Sequence, residues 1–147
     1  MTARVLNGRE VAKTLMEELA MSVGAMPTPP RLVFVRAGDD PASASYVRSK
    51  ERLAAKAGVR SETRVFEASV TQEDLLREIA SLNADADVDG ILVQLPLYGH
   101  LRASEILDAI DPAKDVDGLH PVNVGLLWSG RPGLVPATPA GLIRIME

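Results

Sequence analysis

A lysine sits where an amphipathic helix should carry an apolar side chain. Residues 43–57 run Ser-Ala-Ser-Tyr-Val-Arg-Ser-Lys-Glu-Arg-Leu-Ala-Ala-Lys-Ala. Wound at about 100° per residue, Tyr46, Val47, Leu53, Ala54 and Ala57 share one face, and Arg48, Ser49, Glu51, Arg52 and Lys56 the other. Lys50 falls at the centre of the apolar face, one turn after Tyr46. An ammonium there must find a partner or give up its proton, because an isolated buried charge is too costly. Lys50 is therefore a candidate catalytic base; the plainer alternative is a side chain that snorkels to the helix edge. Gln94 interrupts the apolar run Ile91-Leu92-Val93-Gln94-Leu95. A buried amide must be hydrogen-bonded, and either Lys50 or a neighbouring backbone group would serve. Lys114-Asp115-Val116-Asp117-Gly118 adds carboxylates that are either site groups or a solvated acidic turn. Their spacing does not continue as a calcium loop requires.

The elements that must position these residues alternate helix and strand. Asn7 followed by Glu10 resembles a capping box and opens a helix to about Val23. Met26-Pro27-Thr28-Pro29-Pro30 breaks it. Arg31 to Arg36 reads as a first strand, and Gly38-Asp39-Asp40-Pro41 as a turn. Ser43 is placed to cap the Lys50 helix, which Gly58 ends. Val59 to Ala68 reads as a second strand. Thr71 and Asp74 form another capping box, for a helix to about Asn83. Ile91 to Leu95 is nearly all apolar, which argues for a central parallel strand. A helix follows over about Arg102 to Ile110, and Thr138-Pro139 starts a last one with proline at its first position. This alternation predicts an α/β fold: three layers, α/β/α, around a mainly parallel sheet. Sites in such sheets gather at the carboxyl ends of the strands, where Lys50, Gln94 and the Asp111–Gly118 loop converge.

Composition sets limits. The 147 residues are enough for one domain with a full core. The net charge of −4 offers no basic field for nucleic acid. No apolar run approaches the ~20 residues a membrane helix needs, and the first residues lack the apolar core of a signal peptide. A cytoplasmic location fits. Cysteine is absent, which removes disulfides, thiolate nucleophiles and cysteine-based zinc sites. Two histidines, His100 and His120, are too few for a histidine-rich metal site and read as structural or exposed. Trp128 and Phe34 read as packing residues, and Glu17-Glu18 as a solvated helix face. A Tyr-x-x-x-Lys pair also occurs in short-chain dehydrogenases, but those need a glycine-rich nucleotide loop that this sequence lacks. The last helix carries Leu142, Ile143, Ile145 and Met146 with nothing obvious to cover them, as expected of a fragment.

Five segments occur in order: Gly38-Asp-Asp-Pro-Ala-Ser43 leading into Tyr46-Val-Arg-Ser-Lys50; Asp89-Gly-Ile-Leu-Val-Gln-Leu-Pro-Leu97; Lys114-Asp-Val-Asp-Gly-Leu-His-Pro-Val-Asn123; and Pro136-Ala-Thr-Pro-Ala-Gly141. Together they resemble the bifunctional methylenetetrahydrofolate dehydrogenase/methenyltetrahydrofolate cyclohydrolase family, over essentially the whole chain. The resemblance implies a folate-binding catalytic domain over residues 1–137 and the start of a connecting helix over 138–147. It also implies a second, NADP- or NAD-binding Rossmann domain that this sequence does not contain, and a homodimer for the full-length enzyme. Lys50 matches the catalytic lysine and Gln94 the glutamine that holds and tunes it. Asp117 matches the carboxylate that reads the pterin's amino edge, a role suited to an acceptor-only group. Tyr46 matches the tyrosine that packs on the folate rings. Ser43, Leu95 and Pro96 fall at further substrate-site positions.

The implied chemistry suits these residues. Hydrolysis of a methenyl carbon needs water activated by a base and then protonation of a departing nitrogen; a lysine kept partly neutral by burial can do both. Hydride removal needs mostly positioning, since the nicotinamide supplies the chemistry. No dehydrogenase activity is expected of these residues alone. The sequence departs from the family pattern at Tyr98, where proline is usual, at Ala137, where cysteine is common, and at Arg36-Ala37, where the strand end is usually more apolar. A non-catalytic folate-binding or dimerisation module is the alternative function, and a Schiff-base lyase using Lys50 a third.

Overall fold

Leu32-Val33-Phe34-Val35 and Ile91-Leu92-Val93 are the runs around which the chain is built. The computed structural model describes residues 5–147; residues 1–4, part of the leader reading and of the expected 1–137 unit, lie outside them. The element order is α1 (Gly8–Gly24), β1 (Arg31–Arg36), α2 (Pro41–Lys56), β2 (Arg60–Val65), α3 (Gln72–Ala84), β3 (Gly90–Gln94), α4 (Ala103–Asp108), α5 (Pro121–Trp128) and α6 (Ala137–Met146). The strands form a parallel sheet in the order β2-β1-β3. Arg31 pairs with Arg60, and Leu32 with Gly90, so that Arg36 lies level with Gln94.

Alternation along the strands divides the core in two. Val33, Val35, Ile91 and Val93 face α3 and α4, where Leu75, Ile79, Leu82 and Ile106 complete the larger cluster. Phe34 and Leu92 face the other way and pack on Val47 of α2, with Leu32 and Val116 at the margin. Helices on both faces of a parallel sheet give the three layers expected. Phe34 is indeed a packing residue, 1% exposed.

Several local expectations change. β1, rather than β3, is the middle strand. β3 is nevertheless covered on its outer edge, where Ile91 N–H donates to the Lys114 carbonyl at 2.8 Å and Ile91 bridges to Asp115. β2 is shorter than its apolar pattern suggests and stops at Val65; Val70 N–H then bonds back to Glu67 and turns the chain. The Thr71–Asp74 capping box forms on both sides. At α1 only half a box exists: Asn7 accepts from Arg9 N–H, and Glu10 returns no bond to the cap. The α2 cap is Asp40 instead of Ser43; its carboxylate takes Ala42 and Ser43 N–H, and Pro41 occupies the first turn. α5 was not expected, although His120-Pro121 is a legible start: proline suits the first helical turn, and His120 Nδ1 accepts from Val122 N–H at 3.1 Å. α6 begins at Ala137, so Pro139 is its third residue, not its first.

The amino ends of the strands are tied by charge. Arg31 donates its backbone N–H to Asp89, and its guanidinium reaches Glu62, Asp87 and Asp85. Arg60 shares Asp87. The opposite, carboxyl edge carries no such clamp among the described residues and holds the candidate site. α6 lies against α1, yet Leu142, Ile143 and Met146 remain exposed. Trp128 departs furthest from expectation: it is 93% exposed and packs in no core.

Candidate active site

β1 and β3 are neighbours, but the chain leaves them toward opposite faces. β1 feeds α2 on the Phe34 side, and β3 feeds α4 on the Val93 side. A crevice opens outside the carboxyl ends of two strands where the winding reverses in this way. Its floor is two loops pressed together. Tyr98 N–H donates to the Ala37 carbonyl at 2.8 Å, and Arg36 Nη1 donates to the Gly38 carbonyl at 2.7 Å. A β-carbon on Gly38 would stand 2.7 Å from the Pro96 carbonyl oxygen, so the approach requires glycine. The Leu95–Pro96 peptide is cis.

Lys50 and Gln94 meet across this crevice. Lys50 Nζ donates to Gln94 Oε1 at 3.1 Å, and Gln94 Nε2 donates to the Leu95 carbonyl at 2.7 Å. Both partners considered for Gln94 are thus real, one at each end of its amide. The helix face carrying Lys50 is less sunken than its periodicity implies. Val47 and Ala57 are buried, but Lys50 is only half-buried, Leu53 is 44% exposed and Tyr46 64%. α2 lays the middle of its apolar stripe on the sheet and leaves Tyr46 open to solvent beside the crevice. Orientation by Gln94, more than withdrawal from water, is what the fold imposes on Lys50.

The two acids of the Asp115-Val116-Asp117 segment separate by environment. Asp115 is 3% exposed and held through one oxygen: its Oδ2 accepts from His120 N–H at 2.8 Å and Asn123 Nδ2 at 2.9 Å. It fixes the loop to the start of α5. Lys114 likewise serves structure, giving its ammonium to the carbonyls of Leu82, Asn83 and Asp85 at the end of α3. Asp117 is half-buried. Burial raises its carboxyl above the ordinary carboxylate range, Lys50 opposes that rise, and Asp115 adds to it. Asp117 therefore stands within electrostatic reach of Lys50. Gly118 (φ +65°) turns the chain just after it, against Val135 and Pro136. Asp117 also lines a cavity of about 150 Å³ with Leu119 and Pro136-Ala137-Thr138-Pro139. All five sequence segments thus meet at one edge. A groove of about 430 Å³ between α1 and α2 contains none of these groups and is an open surface furrow.

Ser43 is buried, with its hydroxyl 2.8 Å from Asp40 Oδ2 and 3.2 Å from the Leu95 carbonyl. Leu95 and Pro96 are exposed. Tyr98 packs against the α3–α4 core cluster and stacks on His100, with ring centroids 5.9 Å apart. His100 Nε2 lies 2.8 Å from the Val70 carbonyl, and His120 caps α5, so both histidines are structural. Sequence reasoning passed over Asp40 as an ordinary turn residue. Its signal was available: an acid directly before proline and a helical run is a capping pattern. No group of acids and histidines among the described residues could hold a metal ion, and no described helix is long and apolar enough to cross a membrane.

Comparison with known proteins agrees with this geometry. Residues 6–117 match the family model of the tetrahydrofolate dehydrogenase/cyclohydrolase catalytic domain. The chain is 49% identical over 147 residues to the bifunctional protein FolD of Thermus thermophilus, covering 100% of this chain and 52% of that protein. A 5,10-methylenetetrahydrofolate dehydrogenase from the silkworm Bombyx mori superposes with a TM-score of 0.94 at 38% identity, over 99% of this chain and 51% of that one. The FolD of Trypanosoma brucei, solved in complex with NADP cofactor and an inhibitor, does so with a TM-score of 0.91 at 37% identity, over 99% of this chain and 52% of that one. The chain thus spans about half the length of these relatives. A match this long, over the segments that fold into one crevice, places the chain in the tetrahydrofolate dehydrogenase/cyclohydrolase family, in its catalytic domain.

Proposed function

We propose that this chain is the folate-binding catalytic half of an enzyme of one-carbon metabolism. The enzyme would oxidise 5,10-methylenetetrahydrofolate to the 5,10-methenyl form and hydrolyse that to 10-formyltetrahydrofolate. The observation that carries the reading is Lys50 Nζ held 3.1 Å from Gln94 Oε1, with Asp117 in electrostatic reach at the same crevice. Lys50 and Gln94 form the catalytic pair, and Asp117 accepts the N–H groups of the pterin edge. Tyr46, exposed one turn before Lys50, offers a flat face to the folate rings. Ser43, Leu95 and Pro96 form the adjoining wall.

In the hydrolytic step Lys50 takes a proton from water while the oxygen bonds to the methenyl carbon. The resulting tetrahedral carbon then loses one of its two nitrogens. Lys50 returns its proton to that nitrogen as the carbon–nitrogen bond breaks, and the hydroxyl proton leaves as the formyl carbonyl forms. Gln94 keeps the amine aimed throughout.

NADP would accept the hydride in the oxidation. The described residues do not fit it: the N-terminus of α2, the helix that follows the first strand, is filled by the Asp40 carboxylate, which would repel a pyrophosphate. Hydride transfer is accordingly assigned to the longer protein, which we infer to be cytoplasmic and, as the family resemblance implies, a homodimer.

The test is hydrolysis of 5,10-methenyltetrahydrofolate by this chain without nucleotide, followed by loss of its near-ultraviolet absorbance. Lys50→Ala is expected to lower the rate by about 100-fold or more. A mutant as fast as the wild type, with folate still bound, would instead support a non-catalytic binding module. A borohydride-trapped adduct on Lys50 would favour a lyase.

A further inference from the structure

Val47 seats α2 on the sheet, and the two polar residues that flank it reach in opposite directions. Val47 is buried and packs with Phe34 of β1 and Leu92 of β3. On a helix of 3.6 residues per turn, Lys50 projects about 60° to one side of Val47 and Glu51 about 40° to the other. Lys50 Nζ donates to Gln94 Oε1 at 3.1 Å, on β3. Glu51 Oε1 accepts from Thr63 Oγ1 at 2.5 Å, on β2. The sheet order is β2-β1-β3, so these neighbouring residues straddle the middle strand. Thr63 is level with Phe34 and Gln94 with Arg36, which puts every one of these contacts on the face that α2 covers.

Little else resists rotation of α2 about its axis. Of its 16 residues only Ser43 and Val47 are buried, and Tyr46 and Leu53 stand largely in solvent. The Asp40 cap holds backbone N–H groups close to the axis, where it has little leverage. A side-chain tip ~5–6 Å from the axis moves about 1 Å for each 10° of rotation. That is enough to carry an amine at 3.1 Å out of hydrogen-bond range. Gln94 is the one bonded partner of Lys50 among the described residues, so the rotation of the helix sets where the lysine stem starts. Periodicity alone assigns Glu51 to the polar face, yet the structure half-buries it against β2. The Thr63 hydroxyl proton goes to Glu51 and has no second acceptor among the described residues.

We propose that Glu51 is a positioning residue: bonded to Thr63, it fixes the rotation of α2 so that Lys50 meets Gln94. The catalytic consequence rests on the hydrolase reading above; the positioning itself does not.

The experiment breaks the tie from each side and restores it from each side. Thr63→Val removes the hydroxyl and Glu51→Ala the acceptor. Thr63→Ser keeps a hydroxyl and Glu51→Gln keeps an oxygen that accepts. Nuclear magnetic resonance of ¹⁵N-labelled chain follows the Gln94 side-chain amide, with Lys50→Met as the reference for a lost lysine contact. Thr63→Val and Glu51→Ala should each move the Gln94 signal in the direction that Lys50→Met moves it. Thr63→Ser and Glu51→Gln should leave it near its wild-type place, and the backbone amides of Val33 and Phe34 should stay put throughout. A Gln94 signal that ignores Thr63→Val and Glu51→Ala overturns the proposal, as does one that the restoring variants displace equally. Hydrolysis of 5,10-methenyltetrahydrofolate is the second readout. Misaiming by about 1 Å should lower kcat about 10-fold or more with KM unchanged. If the wild type is inert but Gln94 responds, positioning stands and the hydrolase reading fails. If the wild type hydrolyses and Gln94 does not respond, the hydrolase reading stands and positioning fails.

Discussion

Asp117 shows how a single candidate site residue can set function against stability. Burial holds its carboxyl above the ordinary range even with Lys50 nearby. The unfolded chain releases that proton at a lower pH than the folded one. As pH rises through the ordinary value toward the raised native value, the folded state retains the extra proton and stability falls. Above that window the deficit is constant. Asp117→Asn removes the titration, so the variant should melt at a higher temperature than wild type at neutral pH. The gain should vanish well below the carboxylate range, where both forms are uncharged. On the proposed reading folate binding should weaken at the same time, because an amide does not offer two acceptor oxygens to a pair of N–H donors as a carboxylate does. Melting curves at the two pH values decide the matter; a less stable variant at neutral pH would mean that attraction to Lys50 outweighs desolvation.

At the scale of elements, the site depends on turns as much as on strands. Gly118 follows Asp117 with φ +65°, and a β-carbon there would lie 2.5 Å from the Val135 carbonyl carbon and 2.7 Å from Pro136 N. Neither neighbour is the end of a flexible side chain, so the backbone itself would have to move. Gly118→Ala is expected to cost about 1–3 kcal/mol by overpacking and strain and to displace Asp117. Gly99→Ala is the matched control, since no atom lies within 4 Å of the β-carbon it would add. Urea denaturation of the two variants should separate them clearly, and equal midpoints would refute the turn's role.

For the whole molecule, the core and the surface divide in a way that a spectroscopist can use. The buried residues cluster about β1 and β3, while α5 and α6 leave Val122, Leu127, Leu142 and Ile143 exposed. Trp128 is the sole tryptophan and is 93% exposed. Its fluorescence should already be that of a solvated indole in the native state and shift little when the chain unfolds. Far-ultraviolet circular dichroism should report the same transition at full amplitude. A large shift in tryptophan emission on unfolding would show that Trp128 is covered in solution.

What the sequence determined by itself was the α/β class, the bounds of β1, the Thr71–Asp74 cap and the segments that gather at the site. Each is a local signal: apolar runs, capping pairs and helical periodicity operate over one element. Lys50 was legible for the same reason, as a charge that broke a stripe. Only the tertiary structure decided what such signals leave open. Adjacency of β1 and β3 brought Gln94 within 3.1 Å of Lys50, two residues 44 positions apart. Two chemically identical acids became a structural anchor at Asp115 and a half-buried candidate site group at Asp117, because one bonds Asn123 and the other lies in electrostatic reach of Lys50. Trp128 is apolar enough to be core and is not, since no layer among the described residues covers its short helix. For Lys50 and Gln94 the deciding quantity was a distance between segments remote in sequence, which residue type and spacing along one element do not encode.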